Sequence, residues 1–166
     1  METVSFQAYG YAVPKGSHRP VGNGRFIPQG DPAKITAWRA DVRSAARQAM
    51  GRLGPFTGAI RLSADITLPY PRSSVRKYQM GWLPHTKKPD ADKLLRSICD
   101  HLTGICWVDD SQVCSFYITK SYAWDDIPGA QIEVTEMDEA FLRKLADARR
   151  VIREQARMLD GLVESP

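Results

Sequence analysis

The 166-residue chain predicts a small α/β (α+β) domain, a mixed sheet with helices packed on it and an extra helix at the C-terminal end. Three observations predict it. Period-2 apolar stretches alternate with helix-period stretches in the order β-α-β-loop-α-β-β-α, which stacks helices on a mixed sheet. The composition, 43% hydrophobic and 25% charged, is that of an ordinary globular protein. The length suits one domain with a self-sufficient core. No window approaches a membrane span, and the N-terminus lacks the layout of a signal peptide, so the expected compartment is the cytoplasm.

Val4 to Val13 is rich in β-branched and aromatic residues and reads as the first strand. Residues 14–30 hold four glycines and three prolines and read as a loop. Asp31-Pro32 then starts a helix, with Asp as cap and Pro in the first turn. Ile35, Trp38, Val42, Ala45 and Ala49 keep helical spacing through Met50, and Gly51 ends the run. Arg39, Arg43 and Arg47 form a ridge on another face, either solvated or set against DNA backbone. Gly58 to Pro69 alternates as a long strand with Ile60, Leu62, Ala64, Ile66 and Leu68 on one side.

Residues 70–88 interleave Tyr78 and Trp82 with five cations and read as a mobile loop suited to base stacking beside phosphate contacts. Val113 to Ala123 and Ala130 to Thr135 read as two further strands, with a turn between them at 125–129. Asp138 caps a last helix running to about Leu159. Its apolar residues, Leu145, Ala148, Ile152, Leu159 and Leu162, recur at near-heptad spacing, which suits either a coiled coil or packing on the sheet.

Chemistry concentrates between Lys87 and Val113, KKPDADKLLRSICDHLTGICWVDDSQV, which holds five aspartates and no glutamate. A helix starting at Asp92 places Leu94, Leu95, Ile98 and Leu102 on one face and Asp92, Arg96, Cys99, Asp100 and Thr103 on the other. Gly104 stops it. A short apolar strand, Ile105 to Val108, then delivers Asp109 and Asp110 at a turn. Asp90 and Asp92 flank Ala91, and an extended stretch points both to one side.

Hard divalent cations take one or two carboxylates each, with water and phosphate completing the shell. Such an ion activates water and neutralises charge in phosphodiester hydrolysis. Asp90, Asp92, Asp109 and Asp110 are the candidate ligands for Mg²⁺, with Mn²⁺ as the alternative. Asp100 pairs readily with Arg96 and is assigned a supporting role. Taken singly, Asp92 reads as just an N-cap and Asp109-Asp110 as just a turn.

Charge layout points the same way. Between Thr3 and Gly30 there is no acid, against Lys15, Arg19 and Arg25; between Ile66 and Pro89 there is none, against Arg72, Arg76, Lys77, Lys87 and Lys88. Such patches favour phosphate-bearing partners. The three cysteines, Cys99, Cys106 and Cys114, match no standard zinc spacing with His85 or His101 and read as buried thiols.

The stretch KKPDADKLLRSICDHLTGICWVDDSQV resembles the core of the RusA family of Holliday junction resolvases, the phage and prophage endodeoxyribonucleases. The strand ending VPKG, the Arg-Gly-rich loop, Lys34 and the helix ITAWRADVRSAA stand in the order that the family shows. The resemblance divides the chain into a nuclease domain over 1–136 and a helical extension over 137–166. It implies a homodimer with one metal-dependent site per subunit, cutting four-way DNA junctions by paired symmetric nicks in recombination and repair. By position it makes Asp90, Asp92 and Asp110 the essential carboxylates, with Asp109 beside them; the eight loop cations are the candidate DNA contacts on their charge layout. Arg96 stands where the family commonly has a functional lysine, and Lys93 where an asparagine is common. Arginine holds phosphate well but does not give up its proton, so Arg96 is assigned to stabilising charge on the scissile phosphate. Two other readings remain: a junction-binding protein with weak or no cleavage, and a metal-dependent phosphohydrolase acting on RNA or nucleotides.

Overall fold

The computed structural model describes residues 1–14, 18–21, 25–28, 31–70, 83–123 and 127–163, with the side chains of 18–28 and 159–163 left aside. Four strands form the main sheet: β1 (Glu2–Tyr9), β4 (Ala59–Leu68), β5 (Val113–Tyr122) and β6 (Gly129–Met137). Their spatial order is β1-β6-β4-β5, with β4 and β5 parallel and the other two pairings antiparallel. The sheet is therefore mixed, and the fold is α+β as the sequence predicts.

One face of the sheet is the core. Val4, Phe6 and Ala8 of β1, the five predicted apolar residues of β4, and Ala130, Ile132 and Val134 of β6 are all buried. Helix α1 (Pro32–Met50) covers them with Trp38, Val42, Ala46 and Met50, and helix α2 (Ala91–Leu102) with Leu94, Leu95, Ile98 and Leu102. Full burial of each such Leu or Ile contributes about 1.5–3 kcal/mol. The caps of α1 are those predicted: Asp31 accepts from the Ala33 N–H at 3.0 Å, and Gly51 takes φ +55. Of the arginine ridge, Arg43 is committed to structure. Its guanidinium donates to the His101 carbonyl at 3.0 Å, satisfying an orphan acceptor at the end of α2.

Several boundaries differ from the sequence reading. The first strand ends at Tyr9 rather than Val13, because its partner β6 begins at Gly129 and the ladder runs out there. Gly10 follows at φ +131, a conformation open to glycine. The predicted loop over 14–30 contains an antiparallel pair, β2 (His18–Val21) and β3 (Arg25–Pro28). Each is an edge strand of a two-stranded sheet, which is why Pro20 and Pro28 are tolerated in them. The predicted loop over 70–88 falls largely outside the described residues. Its end is docked: the His85 N–H donates to the Lys120 carbonyl and the Tyr122 N–H to the Leu83 carbonyl, each at 2.9 Å, so 83–85 lines the edge of β5.

The last helix, α3 (Glu139–Val163), runs a turn beyond the predicted end. Its cap is as predicted, Asp138 accepting from the Phe141 N–H at 2.8 Å, and the N-terminal ammonium ties to the same carboxylate at 2.8 Å. Contact with the sheet is confined to the start of the helix. Phe141, Leu142 and Leu145 are half-buried, whereas residues 146–158 are all exposed. Among the described residues no helix is long and apolar enough to cross a membrane.

Candidate active site

Helix α2 begins two residues earlier than Asp92 alone suggests. Asp90 is its N-cap, in extended conformation with φ −72 and ψ 144, and Ala91 is already helical. Asp90 and Asp92 therefore do not share one extended segment, contrary to the extended stretch expected from the sequence. Asp92 follows in the first turn of the helix, and the Lys93 ammonium lies in the field of both carboxylates. Asp90 makes no capping bond and pairs instead with the Lys93 ammonium at 2.8 Å. Asp92 stands exposed in the first turn, acidic where the helix dipole favours it.

The segment leading into Asp90 is held by a residue that the sequence reading missed. Lys120 of β5 donates to the Lys87 carbonyl at 2.7 Å and to the Pro89 carbonyl at 2.6 Å. A signal was present: Phe116, Ile118, Lys120 and Tyr122 alternate onto one face of β5, and a cation in an otherwise apolar row calls for acceptors. Lys87 and Lys88 themselves are exposed, as DNA contacts require. Lys15, Arg72, Arg76 and Lys77 lie outside the described residues. Arg19 and Arg25 sit opposite Ile27 and Val21 in the β2–β3 ladder.

The second acidic pair is built by the turn after α2. Gly104, at φ +76, reverses the chain. Ile105 to Val108 is a turn with isolated bridges rather than a strand, Trp107 bridging to Phe56 and Thr103. Trp107 is fully buried, and its indole N–H donates to Asp110 Oδ1 at 3.0 Å. The Thr103 hydroxyl, itself 2.9 Å from the Cys99 carbonyl, also meets Asp110 Oδ1. Two partners thus orient one oxygen of Asp110, while among the described residues no donor holds Oδ2.

Asp109 caps the short 3₁₀ turn Asp110–Gln112, its Oδ1 accepting from the Ser111 N–H at 2.8 Å, and the Ser111 hydroxyl followed by this backbone bond holds its carboxyl below the usual range. Gln112 closes the box. Its Oε1 accepts from the Val108 and Asp109 N–H groups at 2.8 Å, and its Nε2 donates to the carbonyls of Phe56 and Gly58 at 3.0 and 2.9 Å. Gln112 and Trp107 are positioning residues that the search for carboxylates passed over.

Asp92, Arg96, Cys99 and Thr103 follow one another at four, three and four residues, a single ridge along α2. Asp92 opens the ridge, the exposed Arg96 lies between, and Asp110 is fixed at the Thr103 end, roughly 16 Å of helix axis away. The half-buried Cys99 reports the acidic end, its thiol pushed up to about 12 by burial and then by Asp110 and Asp100. Among the described residues no three His, Cys, Asp or Glu side chains gather into a group that could hold a metal ion. The acidic residues form two stations on one helix face.

Of the three cysteines, Cys106 is buried, Cys99 half-buried and Cys114 exposed near the start of the edge strand β5; all are free thiols.

The family model for endodeoxyribonuclease RusA matches residues 12–135, from just after β1 through most of β6. This chain belongs to the RusA family. The match spans both acidic stations, the β2–β3 pair and Lys120, and it stops before α3. A curated relative, the uncharacterized protein YqaN of Bacillus subtilis (strain 168), is 28% identical over 144 residues, which cover 82% of this chain and 99% of that protein. RusA membership makes the chain a nuclease by family and sets its four-way-junction substrate class.

The Asp90–Lys93 pair has a pH signature. The Lys93 hydrogen bond holds the Asp90 carboxyl below the usual carboxylate range, so Asp90 stays ionised as pH falls through that range. Lys93→Met removes the ammonium, and the Asp90 titration midpoint should then move up toward the ordinary value. Carbon-detected NMR titration of the Asp90 carboxyl in both proteins checks this; equal midpoints would show that Lys93 does not set the charge of Asp90.

Proposed function

We propose that this RusA-family protein is a Mg²⁺-dependent endodeoxyribonuclease that resolves four-way DNA junctions as a homodimer, by paired symmetric nicks, in recombination and repair. The observation that carries the proposal is the exposed α2 ridge, with Asp92 at one end, Arg96 along it, and Asp110 held by Trp107 and Thr103 at the other. The donor set fits a hard cation: each station offers one or two carboxylate oxygens, and the remaining positions are open to water and phosphate. Asp92 with Asp90 at one end, and Asp110 beside Asp109 at the other, would each hold a Mg²⁺, or Mn²⁺ in its place, because a single ion cannot span the roughly 16 Å between the two ends. When bound, the ion supplies activation of water and neutralisation of charge on the phosphate.

The protein's own groups do the positioning. Arg96 presents its guanidinium to a phosphate lying along the ridge and remains charged throughout. Lys93 keeps Asp90 ionised, and Trp107 with Thr103 holds Asp110 in one orientation. Lys87 and Lys88, on the segment that Lys120 pins, stand beside the N-terminal station to receive the DNA backbone. One small site cuts one strand at a time, so symmetric resolution calls for two sites related by a two-fold axis.

A junction-binding protein with weak cleavage is the second reading, favoured by the length of α2 that separates Asp92 from Asp110. One assay separates the two. Purified protein on a synthetic mobile four-way junction with Mg²⁺ should give paired, ligatable nicks and leave the matched linear duplex nearly intact, and EDTA should stop the reaction. Tight junction binding without nicks selects the second reading. A monomer that cuts junction and duplex equally well would remove the resolvase proposal altogether.

A further inference from the structure

Helix α3 lies outside the residues that the family model matches, and the chemistry of the α2 ridge makes no use of it. Its exposed stretch 148–158 contains four arginines and one acid, Glu154. Arg149, Arg150, Arg153 and Arg157, together with Glu154, and with Cys114 of β5, line a groove of about 650 Å³ between the helix and the edge strand. Arg149, Arg153 and Arg157 recur every four residues and span about 12 Å along the helix. That length matches three to four phosphates of one DNA strand, at about 3.4 Å of rise each.

Among the described residues these three arginines form no salt bridge, and Arg150 has one exposed partner, Asp147 at 3.5 Å. An exposed pair of that kind is weak, and a phosphate displaces it readily. Cys114, at the start of β5, follows Gln112 of the second acidic station by two residues in the chain.

We infer that α3 is a second DNA-binding element, whose arginine row and β5 groove hold the phosphate backbone of a duplex arm. The inference rests on the nuclease reading and deepens it: the extension enlarges the DNA footprint that the family domain provides. The fit is to backbone phosphates and reads no base, so duplex arms of any sequence are accepted.

The test is fluorescence anisotropy of the full chain on a labelled duplex and a four-way junction, across a salt series. Wild type is compared with the quadruple Arg→Gln and quadruple Arg→Lys variants at positions 149, 150, 153 and 157. All four side chains are exposed, so neither variant disturbs the core. Loss of three to four phosphate contacts should flatten the slope of log K against log salt by about 3 and weaken binding at least roughly 10-fold. The Arg→Lys variant should retain most of both. In parallel, saturating duplex should slow alkylation of the exposed Cys114 by N-ethylmaleimide in wild type but not in the Arg→Gln variant.

An unchanged slope with Cys114 unprotected, in a wild type that does bind DNA, overturns the inference and leaves the nuclease reading standing. Equal loss in both variants overturns it too, because the effect is then not one of charge. An Arg→Gln variant that binds DNA normally but changes its mass in solution assigns the face to a second copy and overturns the inference. A wild type that binds no DNA overturns both the inference and the nuclease reading.

Discussion

Asp92→Asn and Asp110→Asn should each lower strand cleavage by roughly 10²–10⁴-fold, the several kcal/mol that metal-assisted charge stabilisation supplies to phosphodiester hydrolysis. Asparagine keeps the shape of the side chain and removes the charge. Both carboxylates sit on the outside of the fold, so stability should barely change. Junction binding should persist or tighten, because less negative charge then faces the phosphates. Asp90→Asn should behave likewise, while Asp100→Asn should be milder. Single-turnover cleavage and equilibrium binding, measured on the same junction, decide the matter. If any two of Asp90→Asn, Asp92→Asn and Asp110→Asn cut at the wild-type rate, the carboxylate assignment is wrong.

Trp107 should be the residue whose loss harms the protein most. It is fully buried and bridges Phe56 to the end of α2 while donating its N–H to Asp110. Trp107→Ala opens a cavity in the core and strands Asp110, at a cost of about 3–5 kcal/mol. In a chain of this length that lowers the thermal midpoint by roughly 10 °C. Trp107→Phe separates the two roles, since it keeps most of the volume and loses the donor. It should stay folded, with cleavage falling by a larger factor than junction binding, because Asp110 is then held by Thr103 alone. A Trp107→Phe variant that cuts like wild type would show that Asp110 needs no such support.

Much of the fold was legible because local chemistry and tertiary packing agree. The five-residue alternation of β4, the Asp31-Pro32 start of α1, the Asp138 cap of α3 and the Leu94-Leu95-Ile98-Leu102 stripe of α2 all read through from sequence to structure. The misreadings have a common origin. A strand ends where its partner ends, as β1 does at Tyr9, and two edge strands accept prolines that argue for a loop, as at Pro20 and Pro28. Neither fact is local. The extension was legible as a helix, but its exposure was not: near-heptad apolar spacing is the same whether or not a surface covers it.

The sequence by itself determined the family and the residue types in play: the aspartates near the start of one helix and in a Trp-Val-Asp-Asp turn, the acid-free stretches of cations before them, and a pattern that is that of RusA. Aspartate supplies oxygen donors and arginine a permanent charge wherever they are placed, so residue type and order suffice for that much. The tertiary structure alone decided where those groups stand. Ala91 is helical, so Asp90 stands as the N-cap and pairs with Lys93 while Asp92 lies in the first turn. Lys120, far along the chain, pins the entry to α2 through the Lys87 and Pro89 carbonyls. Trp107 and Thr103 fix Asp110 at the opposite end of the ridge from Asp92. Those distances follow from how α2 lies on the sheet and how the turn after Gly104 folds back, and contacts between residues distant in the chain set both.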